Sequence, residues 1–132
     1  MKILIADDDA VLNHLLDRHC RECGYETTLT FDAMQAWQHV VSDRPDLILL
    51  DVKLPGGTGI EVLKRVHKTP NTARIPVIVI TGVDDPLVLR MVQEQHPDAI
   101  LSKPLNIIEL DVQISRLLAG KQPNPATQQS GR

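Results

Sequence analysis

Five residues of this sequence carry the functional groups of phosphoryl-transfer chemistry, and each follows or ends a short apolar run. They are Asp7, Asp8, Asp51, Thr81 and Lys103. Carboxylates held close together raise one another's pKa unless a cation joins them, and an oxygen-only ligand set favours Mg²⁺. A lysine and a hydroxyl beside that ion can bind phosphoryl oxygens, and an aspartate can itself be the nucleophile. The set therefore predicts a magnesium-assisted phosphoryl site.

The elements that must position these residues are five strands, each followed by an amphipathic helix. The strands are predicted at 2–6, 25–29, 46–51, 76–81 and 98–102, and helix caps at Asp32, Thr58, Asp85 and Asn106. Because the strands lack polar alternation, they are expected to be buried on both faces of a parallel sheet. We therefore predict the α/β class, with a doubly wound, flavodoxin-like, five-stranded parallel sheet of order 2-1-3-4-5 and five helices. In such sheets the ligand site lies at the carboxyl ends of the strands, where the five polar residues would converge.

Length and composition fit one globular domain. We assign residues 1–120 to it and expect 121–132, KQPNPATQQSGR, to be a linker or a disordered tail. Since aromatic residues are only 2% of the chain, its core must consist of aliphatic side chains. The net charge of −3 argues against a nucleic-acid surface on this domain. The sequence shows no signal peptide and no apolar run near the ~20 residues of a membrane span, so we expect a cytoplasmic protein without membrane contact.

Cys20 and Cys23 are spaced as half of a metal or redox site. Redox motifs of this spacing follow a strand and open a helix, whereas these cysteines lie late in a predicted helix. His14 and His19 are near in sequence, but four converging ligands cannot be assembled from these residues. We therefore favour two reduced cysteines in a helix.

Four motifs together resemble the receiver domain of two-component response regulators. They are ILIADDD, DLILLDVKLPGGTG, PVIVITG and LSKP, in the family's order and spacing, and the resemblance covers residues 2 to 119. It implies that Asp51 is the phosphoacceptor and that Mg²⁺ is the cofactor. The implied metal ligands are Asp7, Asp8, Asp51 and the backbone carbonyl of Lys53, whereas Asp9 is not expected to bind the ion.

The resemblance also implies a conformational switch beside the phosphoacceptor. Thr81 and Lys103 are expected to bind phosphoryl oxygens. The small residue Gly82 is expected to leave open access to the phosphoryl group, and the peptide bond before Pro104 is expected to be cis. The family usually has an aromatic residue where this chain has Ile100. We therefore expect phosphorylation to move the loop after Thr81 with a smaller or differently placed surface change.

The implied partners are a sensor histidine kinase or a histidine phosphotransfer protein, which would dock on the first helix near Asn13, His14, Asp17 and Arg18. The chain would be a signalling protein that catalyses only its own phosphorylation and dephosphorylation. Its output, whether a downstream protein or a covalently linked domain, stays open, as does a homodimer formed on phosphorylation. The chain could be a stand-alone regulator or the N-terminal part of a longer one.

Two other functions fit the residues less well. Phosphatases with an aspartyl nucleophile need a second aspartate two positions later, where this chain has Lys53. Mononucleotide-binding folds need a glycine-rich first turn, where this chain has DDDAV. In the family that the sequence resembles, the positions of Lys53 and Val83 influence the rate of phosphoryl hydrolysis. Because neither residue offers an acid or amide to orient water, we also expect a long-lived phosphoryl state.

Overall fold

The computed structural model describes residues 1–120, in which strands and helices alternate; the predicted linker at 121–132 lies outside the described residues. The strands are β1 (Lys2–Ala6), β2 (Glu26–Thr30), β3 (Leu47–Leu50), β4 (Lys53–Leu54), β5 (Gly57–Thr58), β6 (Val77–Thr81) and β7 (Ala99–Ser102). The helices are α1 (Ala10–Glu22), α2 (Ala33–Asp43), α3 (Gly59–Lys68), α4 (Pro86–Glu94) and α5 (Ile107–Leu118).

Five of these strands form one parallel sheet in the order β2-β1-β3-β6-β7. Numbered without the short strands β4 and β5, this is the predicted order 2-1-3-4-5. The strand order reverses between β1 and β3, so the carboxyl ends of these two strands border the crevice in which such sheets bind ligands. The predicted fold class is confirmed.

The sequence did not predict the two-residue strands β4 and β5. They pair antiparallel as a hairpin, with Lys53 opposite Thr58 and Leu54 opposite Gly57. Gly56 and Gly57 both have positive φ, of 75° and 142°, a backbone that glycine adopts without a steric penalty. Two-residue strands are too short to show a periodic pattern in the sequence.

The helix starts follow the predicted caps. The side chains of Asp32, Thr58 and Asn106 each accept from the backbone N–H three residues on, at 2.8, 3.2 and 3.2 Å. Asp85 accepts from Leu87 N at 2.9 Å, with Pro86 in the first helical position. These bonds satisfy backbone donors that a helix cannot pair internally, which fixes where each helix begins.

The core lies on both faces of the sheet and is aliphatic, as the composition predicted. Alternate residues of β1 point to opposite faces: Leu4 and Ala6 join a cluster with α2, α3 and α4, whereas Ile3 and Ile5 pack against α1 and α5. The helices cover both faces of the sheet, and because its strands are parallel, their carboxyl ends lie at one edge. No helix among residues 1–120 is long and apolar enough to cross a membrane.

Candidate phosphoryl-acceptor and metal site

The five predicted site residues lie at the carboxyl edge of the sheet. Asp7 and Asp8 follow β1, Asp51 follows β3, Thr81 is the last residue of β6, and Lys103 follows β7. The pairing of β1 with β2 and β3 aligns Ala6 with Thr30 and Leu50, so these strands end level. Parallel pairing therefore places residues from distant parts of the chain at one edge.

The carboxylates of Asp7, Asp8 and Asp51 form one cluster. An oxygen of each lies within 4.8 Å of an oxygen of the others. Asp7 and Asp51 are 3% and 4% exposed, whereas Asp8 faces solvent. Two buried carboxylates and one exposed carboxylate are an oxygen-only donor set with access to water, which fits a hard ion such as Mg²⁺.

Lys103 joins the two buried carboxylates. Its Nζ donates to Asp51 Oδ2 at 3.0 Å and lies 2.9 Å from Asp7 Oδ2. Burial disfavours the ammonium, but the hydrogen bonds to Asp7 and Asp51 outweigh it, so the pKa of Lys103 is raised and the side chain stays charged. Burial, together with the nearby charge of Asp51, raises the pKa of Asp7 against the opposing pull of Lys103.

Backbone and amide groups fix the loop after β1. Asp9 N donates to Asp7 Oδ1 at 2.9 Å, and the Asp9 side chain caps α1 by accepting from Val11 N and Leu12 N. Asn13 is fully buried, and its Nδ2 donates to Asp7 O at 2.6 Å and to Thr30 O at 3.2 Å. The sequence interpretation placed Asn13 on an exposed docking face, which is wrong, because its side chain ties α1 to the ends of β1 and β2.

Thr81 and Lys103 are linked through the backbone. Lys103 N donates to Thr81 O at 2.9 Å, and Thr81 Oγ1 accepts from Val83 N at 3.0 Å. The Lys103–Pro104 bond is cis. Gly82 is exposed, and a side chain there would make ordinary contact with Lys103 at 3.7 Å. Ile100 is partly buried against the cluster on the α4 side of the sheet.

Lys53 lies beside Asp51 on the hairpin. Its backbone N donates to Asp51 Oδ1 at 3.4 Å, and its side chain is exposed. The Lys53 N–H therefore helps to hold the second oxygen of Asp51. The metal-ligand role of its carbonyl stays a prediction.

Gly59, at the first position of α3, was not singled out in the sequence. A Cβ at this position would lie 2.0 Å from the carbonyl oxygen of Asp51, a distance that no side chain tolerates. Its own N–H donates to Val52 O at 2.8 Å. The first residue of α3 therefore packs directly against the backbone of Asp51, which follows the end of β3. The only signal was a glycine directly after the Thr58 cap, inside a segment already rich in turn residues.

The carboxylates of Asp7, Asp8 and Asp51 form what we call the acidic pocket. A groove of about 800 Å³ opens beside this pocket and reaches it at Asp8. It is lined on one side by the hairpin and α3 and on the other by the loop after β6 and α4. Lys53, Gly82 and Val83 form the part next to the pocket.

Residues 3–115 match the family model of the response regulator receiver domain. Sporulation initiation phosphotransferase F of Bacillus subtilis is 37% identical over 120 residues, which cover 89% of this chain and 93% of that protein. Response regulator MprA of Mycobacterium avium is 32% identical over 123 residues. That match covers 93% of this chain but 53% of MprA, so the chain spans about half the length of this relative.

Solved structures show the same architecture. The signal receiver domain of a signal transduction histidine kinase from Syntrophus aciditrophicus has a TM-score of 0.87 and 30% identity, over 94% of this chain and 95% of that one. The receiver domain of sensor histidine kinase PA1611 from Pseudomonas aeruginosa has a TM-score of 0.83 and 26% identity, over 90% of this chain and 98% of that one. The PA1611 domain has a magnesium ion coordinated in its active-site cleft.

Proposed function

The chain belongs to the response regulator receiver domain family, and from this we propose that Asp51 is its phosphoacceptor. The observation that carries the proposal is the pairing of the buried Asp51 carboxylate with Lys103 Nζ at 3.0 Å, beside Asp7 and Asp8. A carboxylate that needed only structural pairing would not require two further acids at the same edge. The arrangement supports a nucleophile whose charge is balanced before the reaction.

The reaction we propose is transfer of a phosphoryl group from a phosphohistidine donor. An oxygen of Asp51 attacks phosphorus, the new O–P bond forms as the P–N bond breaks, and the electron pair of that bond returns to the imidazole nitrogen. The product is an aspartyl phosphate. The chain thus catalyses only its own phosphorylation and, later, hydrolysis, in which water attacks phosphorus and releases Asp51.

The ion-binding residues would be Asp7, Asp8, Asp51 and the carbonyl of Lys53, of which the three carboxylates form the cluster described above. When bound, Mg²⁺ neutralises charge on the transferring phosphoryl oxygens. Asp8, the exposed member, would bind the ion from the solvent side. Asn13 and Asp9 N would hold the Asp7 loop in place during the reaction.

Lys103 and Thr81 would bind the phosphoryl group once it is on Asp51. Lys103 keeps its charge, so it can move from the carboxylate to a phosphoryl oxygen with a short change of rotamer. The Thr81 hydroxyl can donate its proton to another phosphoryl oxygen. Gly82 leaves the space in front of the site open, and Pro104 follows the lysine in the loop that aims it.

We propose that the conformational switch is led by Thr81 and the loop that follows it. Val83 N is bonded to the Thr81 hydroxyl, so a shift of this hydroxyl toward the phosphoryl group would pull the loop before α4. Ile100 is aliphatic and partly buried, so it offers no ring that could turn into the vacated space. The expected change is therefore local to the loop between β6 and α4.

Receiver domains imply a histidine kinase or a histidine phosphotransfer protein as donor, and we propose that it docks on the first turns of α1. His14 and Arg18 are exposed there, as are the apolar side chains of Val11 and Leu15 at 71% and 60%. Asp17 is bonded to Arg21 and Thr27, so it is not free for a partner. A cytoplasmic location stays a prediction, and the output and a homodimer formed on phosphorylation stay open.

We propose residues 1–120 as the receiver unit. Its relatives are of two kinds: one that this chain covers almost completely, and one of which it covers about half. Both a stand-alone regulator and the N-terminal part of a longer one are compatible with this. The rival phosphatase function is disfavoured by the exposed Lys53 at the position where such enzymes need an acid.

The proposed function is tested by incubating the full chain with acetyl phosphate and Mg²⁺ and measuring the intact mass. We expect one phosphoryl group on the wild type, none on Asp51→Asn, and none on the wild type with a chelator. Uptake by Asp51→Asn at the wild-type rate would show that another residue is the acceptor.

A further inference from the structure

A second group of metal-ligating side chains lies where the end of α1 meets α5. His19 and Cys23 are four positions apart at the end of α1, and Asp111 comes from α5. His19 Nε2 lies 2.7 Å from Asp111 Oδ1 and 3.8 Å from Cys23 Sγ, and the three ligand atoms lie within 4.8 Å of one another. The sequence interpretation did not include Asp111, which is 92 residues from His19.

We propose that His19, Cys23 and Asp111 bind one Zn²⁺ ion. Zinc accepts thiolate, imidazole and carboxylate ligands together, whereas Mg²⁺ and Ca²⁺ take oxygen ligands. A thiolate and a carboxylate supply two negative charges, which balance the charge of the ion. Three protein ligands leave a fourth position, which water or another small ligand can occupy.

The distances between the ligand atoms are close to those that a tetrahedral zinc ion imposes. With bonds of about 2.0 Å to nitrogen and oxygen and about 2.3 Å to sulfur, tetrahedral angles set roughly 3.5 Å between nitrogen and sulfur and roughly 3.3 Å between nitrogen and oxygen. The observed 3.8 Å from His19 to Cys23 is near the first value. The His19–Asp111 distance of 2.7 Å would have to lengthen by about 0.6 Å to reach the second value.

The backbone and the exposure of these residues favour ion access. Cys23 is exposed and is the C-cap residue of α1, with its N–H bonded to His19 O at 3.1 Å. The side chains of His19 and Asp111 are 25% and 44% exposed. An ion can therefore reach all three from solvent, while the helix holds the histidine and the cysteine on one face.

Two arginines of α1 that are near these ligands in sequence have acidic partners of their own. Arg18 is paired with Glu22, and Arg21 with Asp17. Cys20 is 1% exposed, whereas Cys23 faces solvent. Cys20 therefore stays a buried thiol of the core, and Cys23 is the cysteine that can bind the ion.

The proposed zinc site is separate from the phosphoryl site. α1 starts beside Asp7 at the carboxyl edge of the sheet, and its 13 residues carry the chain roughly 20 Å toward the opposite edge. An ion bound there would link α1 to α5, and all three ligands come together only in the folded chain. Zn²⁺ should therefore raise the melting temperature of the domain.

The experiment uses Co²⁺ as a spectroscopic probe on the reduced, tag-free full chain, with excess Mg²⁺ to keep the acidic pocket filled. We expect one Co²⁺ per chain, a thiolate-to-metal absorption band, and loss of the band when Zn²⁺ is added. Cys23→Ser should abolish the band. His19→Ala and Asp111→Asn should weaken apparent affinity by at least roughly tenfold.

A matched control is His39→Ala, because His39 and Asp43 form a similar histidine–aspartate pair on α2 at 2.9 Å. This variant should bind Co²⁺ like the wild type, and Cys20→Ala should keep the band. The proposal is overturned if stoichiometric Co²⁺ gives no thiolate band. It is equally overturned if the band survives Cys23→Ser or disappears in His39→Ala.

Discussion

At the scale of single residues, the clustered carboxylates of the acidic pocket repel one another, and the ammonium group of Lys103 offsets this repulsion only in part. Its Nζ lies 2.9 and 3.0 Å from oxygens of Asp7 and Asp51, both nearly fully buried. Removing one member of a buried ion pair leaves the other charge uncompensated, which destabilises the folded state. One ammonium cannot balance three carboxylates, so the pocket keeps an excess of negative charge that a divalent cation can neutralise.

Lys103→Met tests the role of this ammonium. We expect phosphoryl uptake from acetyl phosphate to fall on the order of 100-fold, the usual effect of losing one electrostatic contact to a reacting group. The initial rate is measured by intact mass at fixed Mg²⁺. Lys64→Met is the control, because Lys64 lines the groove beside the site without contacting Asp51. Equal rates for Lys103→Met and the wild type would contradict the proposed role.

Asp7→Asn tests the cost of the buried charge. The pKa of Asp7 is raised on folding, first by burial, so the folded state disfavours the ionised form. This cost is fully present above the folded pKa and is absent below the unfolded value of 3.8. In chelator at pH 7, Asp7→Asn should therefore raise the free energy of unfolding by on the order of 1 kcal/mol.

The increase in the free energy of unfolding caused by Asp7→Asn should become smaller as the pH falls toward 3.8. Saturating Mg²⁺ should reverse the order, because the wild type gains stability from binding and the variant lacks a ligand. Urea denaturation with and without the ion measures both effects. An Asp7→Asn variant that is less stable than wild type in chelator would contradict this account.

At the scale of elements, the ends of strands and helices decide the site. α3 begins at Gly59, and a Cβ there would lie 2.0 Å from the carbonyl oxygen of Asp51. The hairpin before α3 places the Lys53 N–H against Asp51 Oδ1 at 3.4 Å. The position of Asp51 therefore depends on how closely the start of α3 packs on the end of β3.

Gly59→Ala should destabilise the fold by about 1–3 kcal/mol, the range for overpacking a tight site. The added methyl group must push α3 away from the Asp51 backbone, so phosphoryl uptake should also slow. Gly82→Ala is the matched control: its methyl group would meet Lys103 only at 3.7 Å, and stability should stay within about 0.5 kcal/mol. Equal denaturation midpoints for the two variants would contradict the close approach at Gly59.

Many of the strands and helix starts could be predicted from the sequence, because strands, helix caps and strand ends have local sequence patterns. β1 was predicted at its observed bounds, and the caps at Asp32, Thr58, Asp85 and Asn106 all accept backbone N–H groups. The features that were missed depend on how neighbouring elements pack together in three dimensions. The burial of Asn13 and the contact of Gly59 with the Asp51 backbone follow from packing that no local pattern encodes.

At the scale of the whole molecule, the sheet separates two helix layers, and the proposed phosphoryl site lies at the carboxyl edge of the sheet between them. α2, α3 and α4 pack on one face, and α1 and α5 on the other. The groove beside the pocket lies between α3 and α4, whereas the proposed zinc site lies between α1 and α5. Substitutions in the groove and substitutions at the proposed zinc site can therefore be tested independently of each other.

We propose that the groove between the hairpin and the loop after β6 determines how long the phosphoryl group would persist on Asp51. Lys53 and Val83 line it, and neither offers a carboxylate or amide that could orient an attacking water. We therefore expect the label to persist for minutes or longer in Mg²⁺ buffer, and Lys53→Glu to shorten its half-life several-fold. Lys68→Glu makes the same charge change at an exposed site in the last turn of α3 and should leave the half-life unchanged. Loss of the wild-type label within seconds would contradict the expectation.

The central claim is that phosphate is carried by the side chain of Asp51, and chemical trapping tests it most directly. Borohydride reduces an acyl phosphate to an alcohol, so an aspartyl phosphate becomes homoserine, which peptide mass spectrometry can locate. After treatment with acetyl phosphate and Mg²⁺, the account predicts homoserine at position 51 and at no other aspartate. Homoserine at Asp7 or Asp8 instead, or phosphate retained on a histidine, would contradict it.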